Sequence, residues 1–307
     1  MKISTSFLFD RATSQMSTVQ NKLANAQAQM SQGKQIIAPS DAPDQAAVIM
    51  RFKGVIQRNE SFTNTLNSAN ARYRAEETTL QNVSDSMIRM RELGIQAAND
   101  TLSPVDRQAI ALEMGGLRDQ VMSLANTQDT GGAYLFAGSR VGEPAFGVDA
   151  TGAFVYQGDQ TKISVLVGEQ RAVQLNRPGS DVFERVLRTN ADGNAVGVSF
   201  FQAMDDMVQA VHNSDRDAMQ IGLGEFSAMT DSISLALAHV GTNMNVVDSQ
   251  QTVIDETVLR LKTLLSNVED LDYATAITQM NKDMLALEAA QSSFAKVSQL
   301  NLFNYIN

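Results

Sequence analysis

Two stretches separated by most of the chain carry one and the same apolar rhythm. Phe9, Ala12, Met16, Val19, Leu23, Ala26 and Met30 step by alternating threes and fours, and so do Tyr273, Ile277, Met280, Met284, Leu287, Gln291 and Phe294. On a helix of 3.6 residues per turn this spacing gathers the side chains into one stripe, the seam by which a helix meets a partner. A strand would alternate instead, so both ends are predicted to be helices. Between Ala12 and Gly33 the only charged residue is Lys22, and after Tyr273 only Lys282, Asp283, Glu288 and Lys296 are charged. A surface helix ordinarily opposes its apolar stripe with charge. Here Ala, Ser, Thr, Asn and Gln fill the other faces, which suit a packed interface or water without a large desolvation cost.

Isolated helices of this length are marginal in water, so each end is expected to gain order on packing, where a fully buried Leu, Met or Phe contributes about 1.5–3 kcal/mol. The alternative for the free chain is disorder at both ends. The candidate assembly contacts are Phe9, Met16, Val19, Leu23 and Met30 at one end. At the other they are Ile277, Met280, Met284, Leu287, Phe294, Val297, Leu300, Phe303 and Tyr305.

A chain of 307 residues allows two or three compact units. Its net charge of -10, with no basic run, argues against unaided binding to nucleic acid or to an anionic membrane surface. It has no cysteine, which excludes disulfides, thiolate metal ligands and a cysteine nucleophile. The apolar run in Met1 to Asp10 is too short for a secretory signal, and no stretch approaches a membrane span of about 20 apolar residues. General export rules would place such a chain in the cytoplasm.

From Phe62 the rhythm resumes through Leu66, Ala69, Tyr73, Glu76, Leu80, Val83, Met87, Met90, Gly94 and Ala97, predicting a long helix. Its start is marked by Asp41 as a cap, Pro43 in the first turn and Asp44 near the positive end. Ser103-Pro104-Val105-Asp106 opens a second helix, with Ile110, Met114, Leu117, Val121 and Leu124 on its face and Gly131-Gly132 at its end. The texture then changes. Ala133 to Ala137, Phe154 to Gln157, Lys162 to Val167 and Ala172 to Leu175 are short, β-branched or aromatic, and separated by Gly, Asp and Pro, which predicts a small β unit. Helical texture returns near Ser199, and Met229, Ile233, Ala236, Val240, Asn243, Val247, Gln250 and Ile254 restore the rhythm; Gly222, Gly224 and Gly241 weigh against helix continuity.

The expected fold is therefore mainly α with a small β insert: an elongated antiparallel helical bundle with terminal coiled-coil helices. Residues 1–41 and 270–307 would form an axial assembly domain, 42–132 and 199–269 the bundle, and 133–198 the β insert.

The search for chemistry is empty. His212 and His239 lack a second His or an acid at metal-ligand spacing and read as helix-surface residues. Gly222-Leu223-Gly224 imitates part of a dinucleotide fingerprint but lacks the last glycine and a preceding strand. Asp192-Gly193-Asn194 lacks the ligand spacing of a calcium loop and reads as a turn. Asp205-Asp206, Asp215, Asp217 and Glu269-Asp270 read as solvated helix ends and faces. The chain has fifteen methionines, and those on the seams suit core packing better than an adaptable peptide groove. No enzyme activity, cofactor or metal is expected, and self-association is what remains.

Ser31-Gln32-Gly33-Lys34-Gln35-Ile36-Ile37-Ala38-Pro39-Ser40-Asp41-Ala42-Pro43 resembles the end of the N-terminal region of the flagellin superfamily, in the Pro-Ser-Asp-Ala-Pro form of its junction-type members rather than the form usual in flagellins. Gly132 to Ser139, Tyr156-Gln157-Gly158-Asp159 and Pro178 to Phe183 resemble the family's β insert. Leu271-Asp272-Tyr273-Ala274 and Leu300 to Ile306 resemble its C-terminal region. The resemblance implies a structural subunit between the flagellar hook and filament. Its partners would be other copies of itself, the first hook-associated protein, flagellin, an export chaperone and the type III export apparatus, with no nucleic acid and no membrane insertion. It replaces the cytoplasmic expectation with an extracellular one, reached by export without a cleaved signal. The rival readings are flagellin itself and a secreted coiled-coil protein that binds a ligand through its β insert.

Overall fold

The computed structural model describes residues 2–183, 185–189 and 195–303, and the side chains of Phe7, 9–183, 185–188 and 195–296. The chain divides into two compact units, residues 1–58 with 256–307 and residues 59–255. Two long helices, α2 (Pro43–Ala97) and α6 (Arg216–Glu269), contribute a segment to each.

In residues 59–255 the predicted seam of α2 is the core. Leu66, Ala69, Tyr73, Glu76, Leu80, Val83, Met87, Met90 and Ala97 are all buried, and so are Met229, Ile233, Ala236, Val240, Val247 and Ile254 of α6. The second helix of the unit, α3 (Pro104–Ala125), starts with a capping box in which Ser103 and Asp106 satisfy each other's backbone N–H. Arg107 turns back from α3 to donate to the carbonyls of Ala97 and Asn99 at 3.0 and 2.9 Å, closing the C-terminal end of α2. α5 (Phe200–His212), capped by Ser199, packs against α3.

The glycines of α6 do not interrupt it. A Cβ on Gly222 would lie 2.6 Å from the Met207 sulfur, and one on Gly94 2.6 Å from the Met207 methyl. Both glycines are notches that let α2 and α6 close on one methionine of α5. The sequence reads Gly222 as weighing against the helix because propensity is local, whereas the close approach that needs it is tertiary.

The β texture resolves into three separate antiparallel hairpins rather than one sheet. They are β1 (Phe146–Val148) with β2 (Phe154–Tyr156), β3 (Ser164–Leu166) with β4 (Ala172–Gln174), and β5 (Val186–Thr189) with β6 (Ala195–Val198). Ala133 to Ala137, expected as a strand, forms only an isolated bridge at Tyr134. α3 ends at Ala125, six residues before Gly131. Leu135, Phe136 and Ala137 are nevertheless buried, which explains their apolar texture.

Three of the quoted sequence tags meet here. The Tyr156 hydroxyl reaches the carbonyls of Phe136 at 2.9 Å and Asp159 at 2.8 Å and accepts from the Gly179 N–H. Asp159 accepts from the backbone and hydroxyl of Ser139, which holds its carboxyl well below the usual range. Gly138, at φ +72°, lies so close to Asp159 that no Cβ fits. Phe183 stacks edge-on with Phe136, Phe146 and Phe200 at centroid distances of 5.2–5.5 Å. The long helix anchors the region: Arg72 donates to Asp129 and to the Leu135 carbonyl, Tyr73 to the Gln174 carbonyl, and Arg177 to buried Glu76.

Candidate assembly interface

The unit made of residues 1–58 and 256–307 is built around two terminal helices, α1 (Lys2–Gln32) and α7 (Tyr273–Phe303), which pack antiparallel. Phe9 meets Phe294 with ring centroids 4.5 Å apart, and the Tyr273 hydroxyl donates to the Met30 carbonyl at 3.2 Å. These two contacts set a register that brings Met16 beside Leu287 and Leu23 beside Met280.

The stripe on α1 is the predicted one: Ala12, Met16, Val19, Leu23, Ala26 and Met30 are each half-buried, while Phe9 is exposed near the tip. On α7 the half-buried stripe is Ala276, Met280, Asp283, Leu287, Ala290 and Phe294. It shares Met280, Leu287 and Phe294 with the expected seam, but Ile277 and Met284 lie outside it and are 43% and 41% exposed. The sequence missed Ala276, Asp283 and Ala290 because two are small and one is charged. The larger neighbours Ile277 and Met284 drew the seam one step round the helix. The side chains of Val297, Leu300 and Phe303, and all of Tyr305, lie outside the described residues.

Both terminal helices carry this rhythm without filling it. No residue of α1 or α7 is fully buried among those whose side chains are described, whereas the matching seam of α2 is almost completely sealed. Between α1 and α7 a groove of about 480 Å³ opens near the tips, bordered by Phe9, Arg11, Ala12, Ala289, Ala290 and Phe294.

At the other end of the pair, tags from the two ends of the sequence come together. Gly33, at φ +67°, ends α1 in the left-handed region. Its carbonyl accepts from the Leu271 N–H at 3.0 Å, and the Gln35 N–H donates to the Glu269 carbonyl at 2.8 Å. Asp41, expected to cap α2, instead folds the preceding loop by accepting from the N–H groups of Ile37 and Ala38. Glu269 is buried rather than solvated, and its Oε1 accepts from Lys34 at 2.8 Å and Lys53 at 2.7 Å. Burial alone would raise its pKa, but the two ammonium groups outweigh burial and hold it below the usual value of 4.5. Lys34 is raised in turn, first by its hydrogen bond to Glu269. Nothing in the sequence distinguishes Glu269 from its exposed neighbour Asp270.

The sign of the pH dependence follows. A carboxylate whose folded pKa is depressed contributes stability above about pH 4.5 and loses it as pH falls through the folded value. Acidification below about pH 4.5 is therefore expected to loosen this joint. Amide exchange at Gln35 and Leu271 should quicken there, and Glu269→Gln should show the faster exchange already at neutral pH. Unchanged exchange in that variant would count against the role given to Glu269.

Among the described residues no helix is long and apolar enough to cross a membrane, and no cluster of three His or acidic groups could hold a metal ion. What the unit offers is a pair of long, sparsely charged helices with open apolar faces.

Comparison with known proteins agrees with that picture. Residues 3–140 match the model of the bacterial flagellin N-terminal helical region, and residues 226–306 that of the C-terminal helical region. The chain is 26% identical to flagellar hook-associated protein 3 of Escherichia coli across 99% of both chains, and equally similar to its counterpart in Salmonella typhimurium. Among solved structures, flagellar hook-associated protein 3 from Legionella pneumophila superposes with a TM-score of 0.65 at 20% identity, over 72% of this chain and 98% of that one. That likeness speaks for the fold.

Proposed function

The chain belongs to the flagellin superfamily and is a structural subunit of the flagellar hook-filament junction, and we propose that it assembles there through α1 and α7. The observation that carries this reading is the contrast between two seams of the same rhythm, one sealed in α2 and one left half-open in the terminal pair. A half-filled seam gains stability when further helices cover it, because each side chain taken from water adds about 25 cal/mol per Å² of apolar surface. In an open helical stack the same surface is offered by every subunit in turn.

The terminal helices form the axial assembly domain, and residues 59–255, with their hairpins, are free of that role. One side of the zone accepts the first hook-associated protein and the other accepts flagellin. The chain reaches the cell exterior through the flagellar type III export apparatus without a cleaved signal, with a chaperone holding its C-terminal helix beforehand. The sparse charge of α7 and the absence of cysteine suit that route.

A strain lacking the chain tests the reading. Intact hooks without filaments, with flagellin lost into the medium, are expected; fully formed filaments would reject it. Labelled subunits should mark a short zone beside the hook, and label along the whole filament would make the chain a flagellin instead.

A further inference from the structure

The terminal pair leaves two different faces open. The first is the groove of about 480 Å³ between α1 and α7, with Ala12, Ala289 and Ala290 on its walls, Phe9 and Phe294 at its end and Arg11 on its border. The second lies on α7, beginning beside the stripe of Met280 and Leu287 and turning away from it to Leu285. There Ile277, Met284 and Leu285 stand in solvent, Leu285 with 69% of its surface exposed, and Glu288 follows Leu285 by three residues. At 3.6 residues per turn Ile277, Asn281, Met284, Leu285 and Glu288 fall on one helix face.

One face is thus a hole lined by Ala12, Ala289, Ala290 and Ser293 among larger side chains, and the other a row of large apolar knobs. The charges match as well, since a cation borders the hole and an anion lies one turn from the most exposed knob. We propose that Leu285 of one copy seats in the α1–α7 groove of the next, with Glu288 set against Arg11. The occupant is a second copy of this chain, so the inference rests on the assembly role proposed above and deepens it. Because knob and hole are different residues, the contact is head-to-tail, and each copy of the short zone offers the next the same pair of surfaces.

The absence of native cysteine makes the test direct. Ala12→Cys and Leu285→Cys are combined in the full chain and expressed in a strain lacking the native copy. Within one chain these positions cannot join: the register sets residue 12 opposite Gln291, leaving position 285 about 9 Å further along the helix, beyond the roughly 7 Å that a disulfide spans. Mild oxidation of purified hook-filament particles is expected to give a ladder of covalent multimers, while either single-cysteine variant gives none. Assembled particles that contain the double variant and yield no ladder would overturn the packing while leaving the junction role standing. Absence of the wild-type chain from the junction would overturn the junction role instead.

If the cysteine pair is not incorporated, charge reversal decides. Arg11→Glu or Glu288→Arg alone should lower incorporation at least tenfold, and co-expression of the two should restore it, because each groove then meets an opposite charge. Failure of co-expression to restore incorporation, or full incorporation of Arg11→Glu alone, would overturn the proposal.

Discussion

Leu287→Asp is expected to abolish incorporation into the junction while leaving the thermal unfolding of residues 59–255 where it is in the native chain. Leu287 sits in the inward stripe of α7, beside Met16 of α1. In the free subunit the stripe is only half-buried, so the substitution forfeits part of the roughly 1.5–3 kcal/mol that a fully buried leucine contributes. Asp283 lies one turn earlier on the same stripe, so the new carboxylate adds a like-charge pair at i and i+4. The larger effect comes with assembly. Covering the stripe with a neighbour takes an unpaired carboxylate out of water, and every subunit of the zone meets the same cost. Leu23→Asp should behave alike, since Leu23 faces the same seam beside Met280, whereas Leu287→Met should be incorporated normally. Incorporation is read from purified particles, and folding of residues 59–255 from melting followed by near-ultraviolet circular dichroism. Normal filaments on a Leu287→Asp strain would sink the assembly role assigned to α7.

The parts of this chain legible in its sequence are those decided locally or by large apolar side chains in rhythm. The seam from Leu66 to Ala97 reads directly into a buried stripe, and Ser103 with Asp106 reads into a capping box, because both signals sit within a few residues of their effect. What escaped depends on long-range partners. Gly222 looks like a helix breaker until Met207 arrives from α5. Leu135 and Phe136 look like strand residues because they are apolar, yet they are buried as loop, their region held by Arg72 and Tyr156. The hairpins of β1 with β2 and β5 with β6 went partly unseen because strands of three or four residues carry too little alternation to register.

The candidate interface divides in the same way. The α1 stripe was legible because the large apolar residues between Ala12 and Met30, namely Met16, Val19 and Leu23, all fall on it. On α7 two stripes interleave, Met280 with Leu287 facing α1 and Ile277 with Met284 facing outward, and a heptad drawn through the largest residues runs between them. The ambiguity is physical, since Ile277, Met280, Met284 and Leu287 are neighbours three and four residues apart on adjoining lines of one helix. Glu269 was illegible for a different reason: only the approach of Lys34 and Lys53 from the other end of the sequence separates it from a solvated helix end.

Arg188→Ala is expected to destabilise residues 59–255 by about 3–5 kcal/mol, the range found when one partner of a buried ion pair is removed. Arg188, on β5, donates from Nε and Nη2 to both oxygens of Glu225 at 2.6 and 2.8 Å, and from Nη1 to Asp206 at 2.6 Å. Glu225 on α6 is only 4% exposed, so deleting the guanidinium strands its carboxylate away from water. The converse change should cost less. In Glu225→Ala the arginine keeps Asp206, and with 27% of its side chain exposed it can reach solvent. The double variant should therefore be more stable than Arg188→Ala alone, and a double-mutant cycle by urea unfolding measures the coupling. A coupling below about 0.5 kcal/mol would show that the pair acts independently. Arg188→Lys separates charge from shape. A lysine keeps the charge but cannot span Glu225 and Asp206 with a planar fork, so it should recover only part of the loss. That fork stitches β5 to α5 and α6 at once, and its loss should free the β5–β6 hairpin to exchange its amides while α1 and α7 keep their protection.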